Sequence, residues 1–139
     1  MTRKIILCTD GAARGNPGPA AIGIVLADEQ RREIEAFGEA IGRATNNEAE
    51  YRALLRGLER ARQHSDTIEI RTDSELLARQ LRGAYKVRAE NLKPLHAQAE
   101  RALKQFTRAT IAIIPRELNR RADALANAAL DERQRTDDE

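Results

Sequence analysis

Ile5-Ile6-Leu7-Cys8-Thr9-Asp10-Gly11-Ala12-Ala13-Arg14-Gly15-Asn16-Pro17-Gly18 decides how the rest of the chain is read. An apolar, β-branched run ends in one acidic residue, and three glycines and a proline follow within eight positions. The pattern predicts a strand that delivers a carboxylate to its own C-terminal end, then a loop whose backbone can lie close to a ligand. Alternation sets Ile6, Cys8 and Asp10 on one face and Ile5, Leu7 and Thr9 on the other. Asp-Gly is also an ordinary turn pair, so the stretch alone leaves a turn and a site both open.

Working outward, Ala20–Ala27 and Ile34–Ala40 read as two further strands around the polar turn Asp28–Arg32, short enough to be antiparallel neighbours. Thr45-Asn46-Asn47 offers a cap for a helix to about His64, with Tyr51, Leu54, Leu55, Leu58 and Ala61 at helical spacing. Thr67–Thr72 alternates as a fourth strand and again delivers an aspartate, Asp73. Ser74–Leu81 is a short helix broken by Gly83, and Asn91 caps a third helix that carries Pro94 in its first turn and runs to about Phe106. Ala109–Ile114 is the fifth strand, stopped by Pro115, and the last helix runs from Asn119 to about Leu130. The order implies an α/β fold: a five-stranded mixed sheet, three antiparallel strands and then two parallel ones, flanked by helices. Ligands gather at the carboxyl ends of the strands in such sheets.

With 139 residues and 41% hydrophobic content, one domain over residues 1–131 is expected, with 132–139 a disordered acidic tail. Aromatics are 3% with no Trp, which supplies a base-stacking platform of the single-strand-binding kind poorly and argues against a simple stacking module. Twenty of the 24 basic residues are Arg, and residues 1–130 carry a net charge of +5, a body suited to a polyanion. The lone Cys8 reads as a packed core thiol and fits a reducing compartment. The apolar run after Met1-Thr2-Arg3-Lys4 is too short for a signal peptide or a membrane span, so a cytoplasmic protein away from membranes is expected.

Asp10 and Asp73 lie side by side if the first and fourth strands are neighbours. Two carboxylates so placed repel, and hard divalent cations with oxygen ligands resolve the conflict. From the first helix either Glu48 or Glu50 can join them. Glu48 shares its side with Arg52 as an i,i+4 surface pair, whereas Glu50 lies among Ala53, Leu54, Gly57 and Ala61, small residues that let another element approach. Glu50 is therefore preferred. Asp123, in the first turns of the last helix, is the fourth candidate, although an acid there also simply offsets the helix dipole.

Thr9-Asp10-Gly11 with Asn16-Pro17-Gly18, Thr45-Asn46-Asn47-Glu48-Ala49-Glu50, Thr72-Asp73-Ser74 and Asn119-Arg120-Arg121-Ala122-Asp123-Ala124-Leu125-Ala126 together resemble type 1 ribonuclease H, in all four motif blocks and in order. The resemblance implies a ribonuclease H-like fold and a metal-dependent endoribonuclease that hydrolyses the RNA strand of RNA–DNA hybrids. It implies Asp10, Glu50, Asp73 and Asp123 as catalytic residues holding two Mg²⁺ ions, with Mn²⁺ as substitute, and its glutamate falls on Glu50. Substrate contacts are expected from Gly11, Ala12, Ala13, Arg14, Gly15, Asn16 and Asn47, with Arg43 and Thr45 on a phosphate of the other strand. Double-stranded RNA is a further candidate substrate, and a monomer is expected.

Two features depart from many members: the Gly83–Arg88 stretch leads on without a basic protrusion, and the loop Pro115-Arg116-Glu117-Leu118 has no histidine. The chain thus resembles the shorter archaeal, bacterial and reverse-transcriptase-linked variety. His64 and His96 are expected to be solvated surface residues. Two rivals remain: a non-catalytic nucleic-acid-binding module, which has no use for clustered acids facing phosphates, and another nuclease of the same superfold.

Overall fold

Alternating apolar runs and helical stripes resolve, in a computed structural model describing residues 3–138, into strands β1 (Ile5–Ala13), β2 (Gly18–Ala27), β3 (Glu33–Ala44), β4 (Thr67–Thr72) and β5 (Arg108–Ile113) and helices α1 (Asn46–Ala61), α2 (Glu75–Leu81), α3 (Lys93–Leu103) and α4 (Arg120–Asp138). One sheet takes all five in the order β3-β2-β1-β4-β5. β1, β2 and β3 are antiparallel, while β4 runs parallel to β1 and β5 parallel to β4. This is the expected mixed sheet, centred on the strand that opens the chain.

Each face of β1 meets a different helix. Ile5 and Leu7 point to the side covered by α1, where Leu54, Leu58, Ile68 and Ile70 complete a buried cluster. Gly57 seats the helix there: a Cβ on it would lie 2.7 Å from the Leu7 side chain. On the other face α4 lies directly on β2 and β3. Gly23 pairs with Asp10 on one side and Gly38 on the other, so two glycines form a bare strip across the sheet. A Cβ on Gly23 would stand 1.9 Å from the Ala122 carbonyl oxygen, and one on Gly38 2.1 Å from that of Leu125. Glycine inside a strand here marks backbone-to-backbone approach. Ala122, Ala126 and Leu130 are buried in this contact, while Leu125 and Ala129 are half-buried.

The tail differs from the sequence reading. Instead of disorder from residue 132, α4 continues to Asp138, and Glu139 lies outside the described residues. The added turns are held by an Arg133–Asp137 ion pair at 3.4 Å and by the Thr136 hydroxyl donating to the Glu132 carbonyl at 3.1 Å. They are also anchored through Asp131 and Gln134, which accept from Arg14. Asn91, expected to cap α3, does not: the cap is Leu92, without a side-chain bond. Cys8 is only half-buried, beside Arg71 and Glu69 on the open face of β4.

Neither histidine is a solvated surface residue. His96 is partly buried, with Nε2 3.2 Å from the Gln80 carbonyl, and stands edge-on to Tyr51. His64 Nε2 lies 2.5 Å from Glu35 Oε2, and Arg60 donates to both oxygens of the same carboxylate at 2.9 and 3.1 Å. This cluster ties β3 to the end of α1. The Arg60 bond, aided by His64, holds the Glu35 carboxyl below its usual range. A depressed pKa stabilises the fold above the unfolded value of about 4.3 and ceases to do so as pH falls through the folded value. Glu35→Gln should therefore lower the urea midpoint by a few tenths of a molar at neutral pH, and the difference from wild type should shrink as the pH is taken below about 4. Urea titrations in the two pH ranges decide it.

Candidate active site

β1 and β4 are paired only from Ile5/Ile68 to Cys8/Arg71. β1 then continues beside β2 to Ala13, while β4 ends at Thr72, so the strands part and leave a fork at their carboxyl ends. Asp10 and Asp73 stand in that fork. The strand thus runs three residues past Asp10, and Gly11, Ala12 and Ala13 are ladder residues opposite Ile22, Ala21 and Ala20, not loop. The loop proper is closed by the Arg14 amide donating to the Pro19 carbonyl at 2.8 Å.

Local rules fix each carboxylate. Asp73 sits between a Thr72 hydroxyl that accepts from the Ser74 amide at 3.0 Å and a Ser74 hydroxyl that caps α2 on the Leu77 amide at 3.2 Å. Glu50 is brought in by α1, whose backbone at Ala49 and Glu50 passes so close to Gly11 that a Cβ there would fall 2.3 Å from the Ala49 carbonyl carbon. That approach lets the Gly11 amide donate to Glu50 Oε1 at 2.6 Å. One ligand oxygen from each of Asp10, Glu50 and Asp73 lies within 4.8 Å of the others. Asp123 is exposed, and α4 carries it against Asp10 closely enough for their carboxyl groups to interact directly.

Glu48 has a different task. It completes a capping box: the Thr45 hydroxyl accepts from the Glu48 amide at 3.1 Å, and Glu48 Oε1 accepts from the Thr45 amide at 2.8 Å. The expected surface pair with Arg52 gives way to this cap, and Arg52 donates instead to the Ile41 carbonyl at 3.1 Å. Glu48→Ala should cost about 0.5–1 kcal/mol of stability, Glu48→Gln almost nothing because an amide oxygen also accepts at that position, and neither should alter the chemistry. Thermal melts beside activity assays of the two variants check this.

Charge is frustrated at the cluster. Burial first, then Glu50 and the neighbouring aspartates, raise the Asp10 carboxyl from 3.8 to about 9. Burial likewise lifts Glu50 to about 8, against the opposing pull of the Gly11 amide, with Asp73 adding to the rise and Arg116 reducing it. Among the described residues no Lys or Arg makes an ion pair with these three acids. An all-oxygen donor set, crowded, buried and short of positive charge, fits hard divalent cations.

Two residues near the acids were not singled out from the sequence. Asn119 is 2% exposed, and its amide nitrogen donates to the Thr9 carbonyl at 2.9 Å and to Asp73 Oδ2 at 3.3 Å, joining β1 to the fourth-strand aspartate. It opens the last motif block, but an asparagine before a helix reads first as a cap. Arg116 is the loop residue whose charge reaches Glu50. Of the expected substrate contacts, Arg43 and Asn47 are exposed, Thr45 is spent on its cap, and Asn16 Oδ1 accepts from the Asn46 amide at 3.0 Å, tying the loop to the start of α1. The Arg14 guanidinium turns to α4.

A family model described as reverse transcriptase-like matches residues 8–129. The chain is 48% identical over 124 residues to a ribonuclease HI of Halobacterium salinarum, covering 88% of this chain but only 62% of that protein's length. A ribonuclease H1 crystal structure from the same archaeon superposes with a TM-score of 0.90 at 45% identity, covering 93% of this chain and 98% of that one. The LC11 ribonuclease H1, isolated from compost and solved in complex with an RNA/DNA hybrid, gives 0.89 at 43% identity, with 94% and 99% covered.

Proposed function

The chain belongs to the type 1 ribonuclease H family, and on that footing we propose that it is an endoribonuclease that hydrolyses the RNA strand of RNA–DNA hybrids with two divalent cations held by Asp10, Glu50, Asp73 and Asp123. The observation that carries the reading is the fork between β1 and β4, where three buried or half-buried acids converge within 4.8 Å with no ion-pair partner among the described residues. Bound there, Mg²⁺ or Mn²⁺ supplies Lewis-acid activation of water and offsets charge on the leaving 3′ oxygen.

The chain's own residues prepare the ground. Asp10 is central, reached by Glu50, Asp73 and Asp123. The Gly11 amide fixes one Glu50 oxygen and the Asn119 amide one oxygen of Asp73, leaving the second oxygen of each carboxylate for a cation. Arg116 brings positive charge beside Glu50 for an approaching phosphate. The start of α1, with Asn47 and Arg43 exposed and Asn16 docked against it, offers amides and a guanidinium to a second strand. Recognition by shape and by 2′-hydroxyls suits this polar rim better than base reading does. We place the enzyme in the cytoplasm as a monomer; no helix among the described residues is long and apolar enough to cross a membrane.

Labelled RNA–DNA hybrid, double-stranded RNA and double-stranded DNA, each with Mg²⁺, Mn²⁺ or chelator, test the proposal on one gel. Internal cuts confined to the RNA strand of the hybrid and dependent on metal are expected, with double-stranded RNA a slower substrate. Binding without cleavage would favour the non-catalytic module, and cleavage of DNA another nuclease of the superfold.

A further inference from the structure

Arg14 follows Asp10 by four residues, in a loop expected to touch substrate, yet its guanidinium is committed elsewhere. Nη2 donates to Asp131 Oδ1 at 2.6 Å and, less closely, to Asn127 Oδ1 at 3.5 Å, while Nη1 donates to Gln134 Oε1. All three acceptors lie on α4. Asn127 in turn donates through Nδ2 to the Asp123 carboxylate at 3.2 Å and to the Asp123 carbonyl at 3.0 Å.

The amide of Asn127 can face only one way. Turned over, its oxygen would meet a carboxylate and a carbonyl, and its NH₂ would meet a guanidinium, so both sides would repel. A cation on one flank and an anion on the other thus select the rotamer that delivers an N–H to Asp123. That carboxylate is the exposed member of the acidic group and needs an outside hold that Glu50 and Asp73 find in buried amides.

Resting on the cation-dependent reading above, we propose that Asn127 and Arg14 are positioning residues for Asp123: Arg14 orients the Asn127 amide, and that amide holds the Asp123 carboxylate where, with Asp10, it would help to hold a divalent cation. The glycine loop and the last helix are then one device for completing the second cation site. Partners of this kind beside a ligand set commonly change metal affinity by about tenfold or more.

The test titrates Mg²⁺ alone against the unfolding temperature of the full chain, and separately against hybrid cleavage. Asn127→Ala keeps helix propensity and should raise the Mg²⁺ needed for half of the thermal stabilisation, and for half-maximal cleavage, by about tenfold, with the hybrid KM within about twofold of wild type. Arg14→Ala should give a smaller shift in the same direction and none when added to Asn127→Ala, because it acts through that amide. Arg133→Ala, which removes only an exposed ion pair further along α4, should leave both titrations unchanged. A Mg²⁺ requirement in Asn127→Ala equal to wild type in both readouts would overturn the proposal, as would full additivity of the two substitutions. If wild type is stabilised by Mg²⁺ but cuts no hybrid, the assigned activity fails while the thermal titration still decides the positioning role.

Discussion

Asp10→Asn should abolish hybrid cleavage and at the same time make the metal-free protein harder to unfold. Loss of turnover by at least a factor of about a hundred, about 2.7 kcal/mol of transition-state stabilisation, is expected because every other acid of the fork is arranged around this carboxylate. The stability gain follows from linkage. The carboxyl is raised from 3.8 to about 9, chiefly by burial and then by Glu50, so the folded chain keeps its proton where the unfolded chain has lost it. Metal-free wild type therefore loses stability as pH rises from about 4 to about 9, and the neutral asparagine escapes that loss. Melts in chelator should show the variant ahead by at least about 3 °C at pH 8, roughly 1 kcal/mol for a chain of this size, with the gap closing near pH 4. Excess Mg²⁺ should stabilise wild type and do little for the variant. Turnover within tenfold of wild type, or a lower melting temperature in chelator at pH 8, would contradict the assignment.

Gly23→Ala is the second large effect and lies outside the acids altogether. A methyl group 1.9 Å from the Ala122 carbonyl oxygen cannot be accommodated by a rotamer change, because both partners are backbone. Either α4 lifts or β2 sinks. Overpacking of this kind costs about 1–3 kcal/mol, which for this length lowers the melting temperature by about 3–10 °C. The residue after Ala122 is Asp123, so lifting the helix also withdraws a carboxylate from Asp10, and activity measured well below the melting temperature should fall in step. A variant that melts within 1 °C of wild type would mean the helix does not rest on the sheet as described.

These two sites also mark where the sequence was transparent and where it was opaque. Asp10 and Asp73 were legible because each follows an apolar run that reads as a strand; Asp73 does lie just past the end of β4, whereas Asp10 sits three residues short of the end of β1 and is buried there. Glu50 was legible from its small neighbours, which imply a close approach, and Gly57 against Leu7 is that approach. Gly23 and Gly38 sit just as plainly within apolar strands, but their meaning needs the β2–β3 register, which places them side by side. Asn119 was hidden by its other role as a helix-start residue. The extension of α4 was misjudged because charged termini usually fray, and the anchor that prevents it, Arg14, lies more than a hundred positions away in the chain.

The sheet is covered unevenly, and heat should reveal it. β1 to β3 lie beneath α4, and β1 and β2 also pack on α1, whereas β5 pairs with β4 alone and leaves Arg108, Ala109, Thr110 and Ile113 exposed. Amide hydrogens along β5 should therefore exchange through small openings that leave the rest of the ladder closed, with protection climbing from β5 through β4 to β1. Asp73 hangs from the end of β4, beside that loosening margin, and Thr72 above it accepts from the Ile114 amide just beyond β5. On warming, then, the cluster comes apart from its Asp73 side, and catalytic competence fades over a range where most of the protein is still folded.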